Sequence, residues 1–161
     1  MINCVEVKNI NELAQLAFEI WHEYWVEILS IEQIDYMVEN FQSESAIRNQ
    51  IENENYAYFF IQKNGENIGY IGLSKKADYL FLSKFYIKKD FRNKGIGTRV
   101  FKFIKNFTQQ FGYKKIQLTV NKNNINTIKA YKKWGVQIVN SVITPIGNDF
   151  VMDDYIMEYF L

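Results

Sequence analysis

One cysteine, one histidine and one proline are all that the 161 residues hold of those three types. A single thiol, Cys4, excludes an internal disulfide and a thiolate cluster. With only His22 to add, no zinc-ligand set assembles, so no metal is expected. No run reaches the ~18 apolar residues that a membrane helix needs, and no signal-peptide pattern opens the chain. The expectation is a soluble protein in a reducing, cytoplasmic setting, without a membrane partner. Acidic side chains are missing from residues 91–133, which carry eleven basic ones. Residues 1–60 are the opposite, with eleven acidic side chains and two basic ones, Lys8 and Arg48. The net charge of +1 therefore hides two regions of opposite potential. They are either ordinary solvated surface or a polyanion site in the C-terminal half facing a cation site in the N-terminal half. A nucleic-acid partner would want a wider basic surface, and the acidic first third argues against one.

Apolar residues are plentiful: 48% hydrophobic, with thirteen Phe and eleven Tyr, enough for one packed core. No repeat, linker or low-complexity stretch divides the chain, so residues 1–161 read as one domain. Residues 2–8 alternate weakly and suggest a strand. Asn9 with Glu12 forms a capping-box pattern before Leu13, Leu16, Ala17, Ile20, Trp21 and Tyr24 at helical spacing. Ser30 with Gln33 opens a second helix, and Ser43 or Ser45 a third. Glu19, Glu23 and Glu27 lie four apart on one helix face, with Glu32, Asp35 and Glu39 as a second acidic row. A bound cation would offset the repulsion along that face; so would solvent. Residues 56–63 and 66–76 flank Asn64-Gly65, a strong hairpin signal, and 79–87 extends them into an antiparallel meander. After a glycine turn, Ile96, Val100, Phe103, Ile104, Phe107 and Phe111 mark one helical face, ended by Gly112. Strand 116–120 should then lie parallel to 79–87. A helix follows to Gly135, then strands 136–143 and 151–160, with Pro145 and Gly147 in their connection.

The stretch Leu80 to Gly97 organises this order. It reads as a buried strand, a glycine-rich turn (Arg92-Asn93-Lys94-Gly95-Ile96-Gly97) and a helix start. The N–H groups of such a turn converge on one place, where an anion can satisfy them.

That turn resembles the Arg/Gln-x-x-Gly-x-Gly/Ala signature of the GCN5-related N-acetyltransferases. A second family signature is Asn followed seven residues on by Tyr and then Gly-Phe. Asn124, Tyr131 and Gly135-Val136 occupy those places, Val replacing Phe. Within the family the chain is similar to PaiA-type bacterial polyamine acetyltransferases. The residues are Tyr86-Ile87-Lys88, the run Ala130 to Gly135, and Gly147-Asn148-Asp149. The resemblance implies a single-domain, mixed α/β acetyltransferase fold. Its central seven-stranded sheet is mostly antiparallel, with one parallel, splayed pair and flanking helices.

The resemblance further implies that acetyl-CoA is the cosubstrate and a primary amine such as spermidine the acceptor. Arg92, Asn93, Lys94, Gly95, Ile96, Gly97 and Thr98 would hold the pyrophosphate. Backbone groups at Phe85 and Ile87, with Asn124, would meet the pantetheine arm and acetyl carbonyl. Lys132 or Lys129 would approach the 3′-phosphate. Tyr131 would be the general acid for the departing thiolate. Glu19, Glu23 and Glu27 are the candidates for binding the cationic acceptor, with Asp35, Asp153 and Asp154 in reserve. Many relatives carry Glu at or near Ser83, so the base is open between a water relay through a backbone carbonyl, Tyr86 or an N-terminal-helix Glu, and His22. Two other readings stand beside this one: a peptide, protein or antibiotic amine as acceptor, and a non-catalytic coenzyme-A sensor. Aromatics in the first third offer a homodimer face.

Overall fold

The computed structural model describes residues 1–161. Three side-chain caps start its three N-terminal helices. Asn9 Oδ1 accepts from the Glu12 N–H at 3.1 Å, Ser30 Oγ from Gln33 at 3.1 Å and Ser43 Oγ from Ala46 at 3.2 Å. Each satisfies an N–H that the first helical turn leaves free. The reciprocal half of the capping box does not form. Glu12 accepts instead from Asn67 Nδ2, and Gln33 donates to the Val151 carbonyl. Both side chains are drawn away by tertiary partners.

The caps begin α1 (Ile10–Tyr24), α2 (Ile31–Phe41) and α3 (Glu44–Asn53), which follow β1 (Ile2–Glu6). Then come β2 (Tyr56–Lys63), β3 (Glu66–Lys75), β4 (Leu80–Ile87), a 3₁₀ turn at Lys89–Phe91 and α4 (Ile96–Gln110). The chain closes with β5 (Lys115–Asn121), α5 (Ile125–Lys133), β6 (Gln137–Gly147) and β7 (Phe150–Phe160). One seven-stranded sheet runs in the order β1-β2-β3-β4-β5-β7-β6. Every neighbouring pair is antiparallel except β4 and β5.

Apolar cores cover both faces of the sheet. On one, α4 and α5 pack Ile96, Val100, Phe101, Ile104, Ile128 and Tyr131 onto the sheet. On the other, α1, α2 and α3 pack Leu13, Ile20, Trp21, Ile34, Met37 and Ile47 over Tyr58, Phe60 and Tyr70.

The α4 face differs from its apolar spacing. Phe101 is buried, Phe103 and Phe107 are half-buried against Phe59, and Phe111 is exposed. The cause is Trp134, whose ring stacks on Phe101 with centroids 5.1 Å apart and rotates the contact stripe toward α5. The last hairpin also corrects the sequence reading. Pro145 and Gly147 lie inside β6, paired with Val151 and Phe150. Asn148 and Asp149, at φ 53° and 61°, make a two-residue turn. Pro145 is tolerated because β6 is an edge strand.

The detail that positions the site lies between β4 and β5. Their parallel pairing covers only Leu80–Ile116, Phe81–Gln117 and Leu82–Leu118. On its other side β4 has a bulge: Leu73 faces Leu82 and Gly72 faces Lys84, leaving Ser83 without an opposite residue. A bulge bends its strand and adds twist. The bulge falls where the parallel pair parts, so the sheet opens into a V beyond Leu82.

Candidate active site

Two elements close the V. One is the turn from β4 into α4. Asn93 and Gly95 take left-handed backbone, at φ 61° and 77°, and Gly95 caps α4 with no side-chain acceptor. The N–H groups of Asn93, Lys94, Gly95, Ile96, Gly97 and Thr98 donate to no protein acceptor. Six free donors at the positive end of a 15-residue helix make an anion nest. Ile96 adds only its N–H, because its side chain is buried. Gly97 serves packing: a Cβ there would stand 3.1 Å from the Trp134 ring. The Thr98 hydroxyl is likewise engaged, accepting from Trp134 Nε1 at 3.1 Å.

Arg92 turns its side chain away from the nest. Its Nε donates to the Ile87 carbonyl at 2.8 Å, its guanidinium lies 4.8 Å over the Tyr24 ring, and Nη2 stands 3.4 Å from Glu23. Its charge therefore braces the strand exit against α1. Lys132 and Lys129 stand exposed on α5. From Ser83 to Ile87, β4 has no strand on its β5 side, so its edge toward the V is open at Phe85 and at the Ile87 N–H, while the Ile87 carbonyl is held by Arg92.

The second element is α5. Its C-terminus forms a Schellman motif, with Val136 N–H on the Tyr131 carbonyl at 2.9 Å and Gly135 N–H on the Lys132 carbonyl at 3.0 Å. Gly135 supplies the left-handed residue at φ 92°. The four-residue spacing from Tyr131 to Gly135 thus has a local cause: it fixes the turn that carries Tyr131. The Tyr131 ring is buried edge-on to Trp134, and burial followed by the neighbouring Tyr24 holds its hydroxyl well above the ordinary phenol pKa. At the start of α5, Asn124 Nδ2 donates to the Tyr24 hydroxyl at 2.6 Å, and that hydroxyl meets Thr127 Oγ1 at 2.7 Å. This chain ties α1 to α5 across the mouth of the V.

On the α1 side of the V, Tyr86 sits in an aromatic box. Trp21, Tyr24 and Tyr70 lie 5.3, 5.5 and 5.6 Å away between centroids, and Trp25 at 6.4 Å. The Trp25 indole N–H lies beside the Tyr86 hydroxyl without an aligned hydrogen bond and is buried with no other partner. Burial drives the Tyr86 hydroxyl far above its usual pKa, with Tyr24, Tyr131 and Asp154 adding to the effect.

Asp154 comes from β7, opposite Asn121 at the end of β5. Strand alternation puts it on the face of Met152, which packs against the α1–α3 core. It is 7% exposed, and its Oδ1 is buried with no partner. Burial first, then the Asp153 charge, raises its carboxyl pKa to about 6 against the pull of Lys122. Below the V, the Ser83 hydroxyl meets Tyr56 at 2.8 Å and accepts from Lys84 Nζ at 2.7 Å. Burial lowers the Lys84 ammonium to about 8, though Glu54 opposes it.

The three candidate glutamates are not brought together. Since α1 ends at Tyr24, Glu27 lies beyond it, off the helical face that the spacing implied. Glu23 accepts from the Lys89 N–H at 2.9 Å and pairs with Arg92, so it steadies the turn. Glu19 joins Asp35, Glu39 and Glu44 around a cleft of about 680 Å³ among α1, α2 and α3. None of that cleft's lining residues comes from β4, β5 or α5. His22 lies there too, 2.6 Å from Asp35 and 2.8 Å from the Phe18 carbonyl. Burial lowers its pKa, but those two partners outweigh burial and raise it. It is thereby placed away from the V.

Sequence reasoning passed over Lys84, Tyr24 and Thr127, and kept Asp154 only in reserve. No local pattern marks them, because their neighbours come from distant segments. A carboxylate in the middle of a final strand, otherwise rich in apolar residues, was the one signal available for Asp154.

A family model described as "Acetyltransferase (GNAT) family" matches residues 14–136. The chain is 32% identical over 59 residues to a probable spermine N(1)-acetyltransferase of Bacillus subtilis subsp. natto; that match spans 36% of this chain and 39% of that protein. An uncharacterised N-acetyltransferase of Lactobacillus delbrueckii subsp. lactis is 21% identical over 153 residues, 90% of this chain and 88% of that protein. Among solved structures, the PaiA N-acetyltransferase of Thermoplasma acidophilum, in complex with coenzyme A, superposes with a TM-score of 0.82. It is 21% identical, with 100% of this chain and 98% of that chain covered, a likeness of fold.

Proposed function

The chain belongs to the acetyltransferase (GNAT) family, and from that premise we propose that it moves an acetyl group from acetyl-CoA to a primary amine, with a small polyamine such as spermidine as acceptor. The observation that carries this reading is the V itself. It opens at Leu82, has a nest of free N–H groups at one rim, and has a buried phenol, Tyr131, beside it. In this reading residues 1–161 act as one domain, and the diphosphate of coenzyme A fills the nest. Its pantetheine arm follows the open edge of β4 at Phe85 and Ile87. Asn124 keeps its amide oxygen for that arm, since only its Nδ2 is engaged with Tyr24. Lys132 and Lys129 stay available to the 3′-phosphate.

The acceptor comes from the α1 side. The aromatic box around Tyr86 and the carboxylate of Asp154 suit an ammonium group, through ring faces and charge. The name of the Bacillus relative, a probable spermine N(1)-acetyltransferase, agrees with that chemistry. Free N–H groups on β4 would meet the charge that develops on the carbonyl oxygen. Tyr131 would give its proton to the departing sulfur, and its raised pKa means that the hydroxyl is protonated at neutral pH. Lys84 favours a second acceptor class. A basic side chain below the V would suit a peptide amine whose backbone carbonyl it could reach.

Thiol release from acetyl-CoA with spermidine, and separately with a lysine peptide, tests the proposal when product masses are read. Release with spermidine and an acetylated polyamine product is expected. A null result with every amine, alongside measurable acetyl-CoA binding, would leave a coenzyme-A sensor instead.

A further inference from the structure

An alkylammonium holds its proton to about pH 10.4, so an acceptor amine must lose it before its nitrogen can attack. The chain's obvious takers are engaged elsewhere. Glu23 is bound to the Lys89 N–H and Arg92, His22 to Asp35 in a separate cleft, and Ser83 to Tyr56 and Lys84. One carboxylate oxygen at the V has no partner at all. We infer that Asp154, buried on β7 with its Oδ1 unbonded and set across the V from Tyr86, takes the proton of the acceptor ammonium. The inference rests on the amine-acetylation reading above and adds to it the identity of the base.

Three features of the place fit the role. Oδ1 is buried without a protein donor, and a buried lone acceptor of this kind costs free energy until a donor arrives. An ammonium N–H is such a donor. Second, the groups around Asp154 do not neutralise it. Lys122, whose charge pulls weakly against the shift, is held 3.0 Å from Asp153 on the neighbouring position, while Asn121 and Val142 sit opposite on β5 and β6. Tyr86 from β4 and Tyr131 from α5 face the same space beside Tyr24 from α1, and burial keeps the Tyr86 and Tyr131 hydroxyls protonated at neutral pH. Third, a carboxyl raised from 3.8 to about 6 lies roughly two units nearer to an ammonium than an ordinary aspartate, which favours the transfer by about 100-fold.

The step balances. The ammonium passes one proton to Asp154 Oδ1, and the freed nitrogen lone pair forms a C–N bond to the thioester carbonyl carbon. Collapse of the tetrahedral adduct breaks the C–S bond. Tyr131 protonates the sulfur, the second nitrogen proton restores the Tyr131 hydroxyl, and Asp154 releases its proton to solvent. One ammonium and one thioester yield an amide, a thiol and a proton.

The test joins kinetics with a readout that needs no turnover. For Asp154→Asn with spermidine, kcat at neutral pH should fall about 100-fold and the acid limb of the pH profile should vanish, with acetyl-CoA affinity unchanged. Asp154→Glu should restore part of the rate. In the unaltered protein, ¹³C NMR of labelled aspartate carboxyls should show one resonance, missing in Asp154→Asn, that titrates near pH 6 and moves when spermidine is added. An unchanged acid limb in the Asn variant, or a carboxyl resonance indifferent to spermidine, overturns the inference while leaving acetyl transfer standing. If the protein acetylates no amine yet that resonance still answers spermidine, the transferase reading fails and the ammonium site remains. The NMR measurement uses the native fold, so instability of a variant cannot obscure it.

Discussion

Tyr131 has a proton that burial makes hard to lose, and its backbone is locked by the Schellman turn that follows it. Removing only the hydroxyl should leave that turn and the ring packing intact. Tyr131→Phe is expected to lower kcat by about 10²-fold while calorimetry finds acetyl-CoA affinity within about twofold of the original. Asp154 makes a prediction about stability as well as rate. Its folded-state pKa, about 6, lies above the ordinary 3.8. The native state therefore holds the proton more tightly than the unfolded chain, and the stability linked to it is complete below about pH 4 and lost as pH rises through 6. Two units correspond to roughly 3 kcal/mol at most. Asp154→Asn should flatten that part of the curve, so that denaturation at pH 7 finds the variant more stable than the original and at pH 4 nearly equal. A variant less stable at pH 7 would mean that Asp154 makes a favourable contact there.

At the scale of elements, the turn into α4 uses two glycines for different reasons. Gly95 is left-handed, and a Cβ there meets nothing within 4 Å, so its demand is on the backbone alone. Gly97 is an ordinary helical residue pressed against Trp134. Gly95→Ala should then cost about 1–2 kcal/mol and Gly95→Asn less, because Asn tolerates left-handed backbone. The Gly97→Ala penalty should shrink in a Trp134→Phe background, and Gly95→Ala should not respond to that change. Chemical denaturation of the four variants and the double mutants checks both statements. The β4 bulge belongs to this scale too. It frees the strand edge at the point where the parallel partner leaves, and neither event is useful to a thioester without the other.

Across the whole molecule, the division of charge survives folding in part. Lys94 and Arg99 stand exposed in and beside the segment that carries the free N–H groups, and no acidic side chain occurs between residues 91 and 133, so an anion approaching the nest meets positive charge. Association of acetyl-CoA should therefore slow severalfold between about 0.05 and 0.5 M salt, with dissociation little altered, in stopped-flow traces. The acidic N-terminal third is dispersed instead. Glu23 is spent on the turn, Glu27 lies beyond α1, and Glu19 faces a cleft outside the V. Charge counting saw a patch where the fold made three separate environments.

While the third cap, left between Ser43 and Ser45, was decided for Ser43 by the fold, local chemistry in the chain was enough to determine the caps at Asn9 and Ser30, the Asn64-Gly65 hairpin and the glycine turn before α4. Each depends on residues within a few positions of one another. The same holds for Tyr131, whose spacing to Gly135 is a helix-ending rule written in sequence. What the tertiary structure alone decided involves partners far apart in the chain. Trp134 rotated the buried stripe of α4 onto Phe101. Tyr24 reached 100 residues along the chain to Asn124. Asp154 lost its solvent when β7 inserted beside β5, across the V from Tyr86. Burial sets the proton affinity of a carboxyl, and burial is a property of the assembled sheet, which no stretch of ten residues contains.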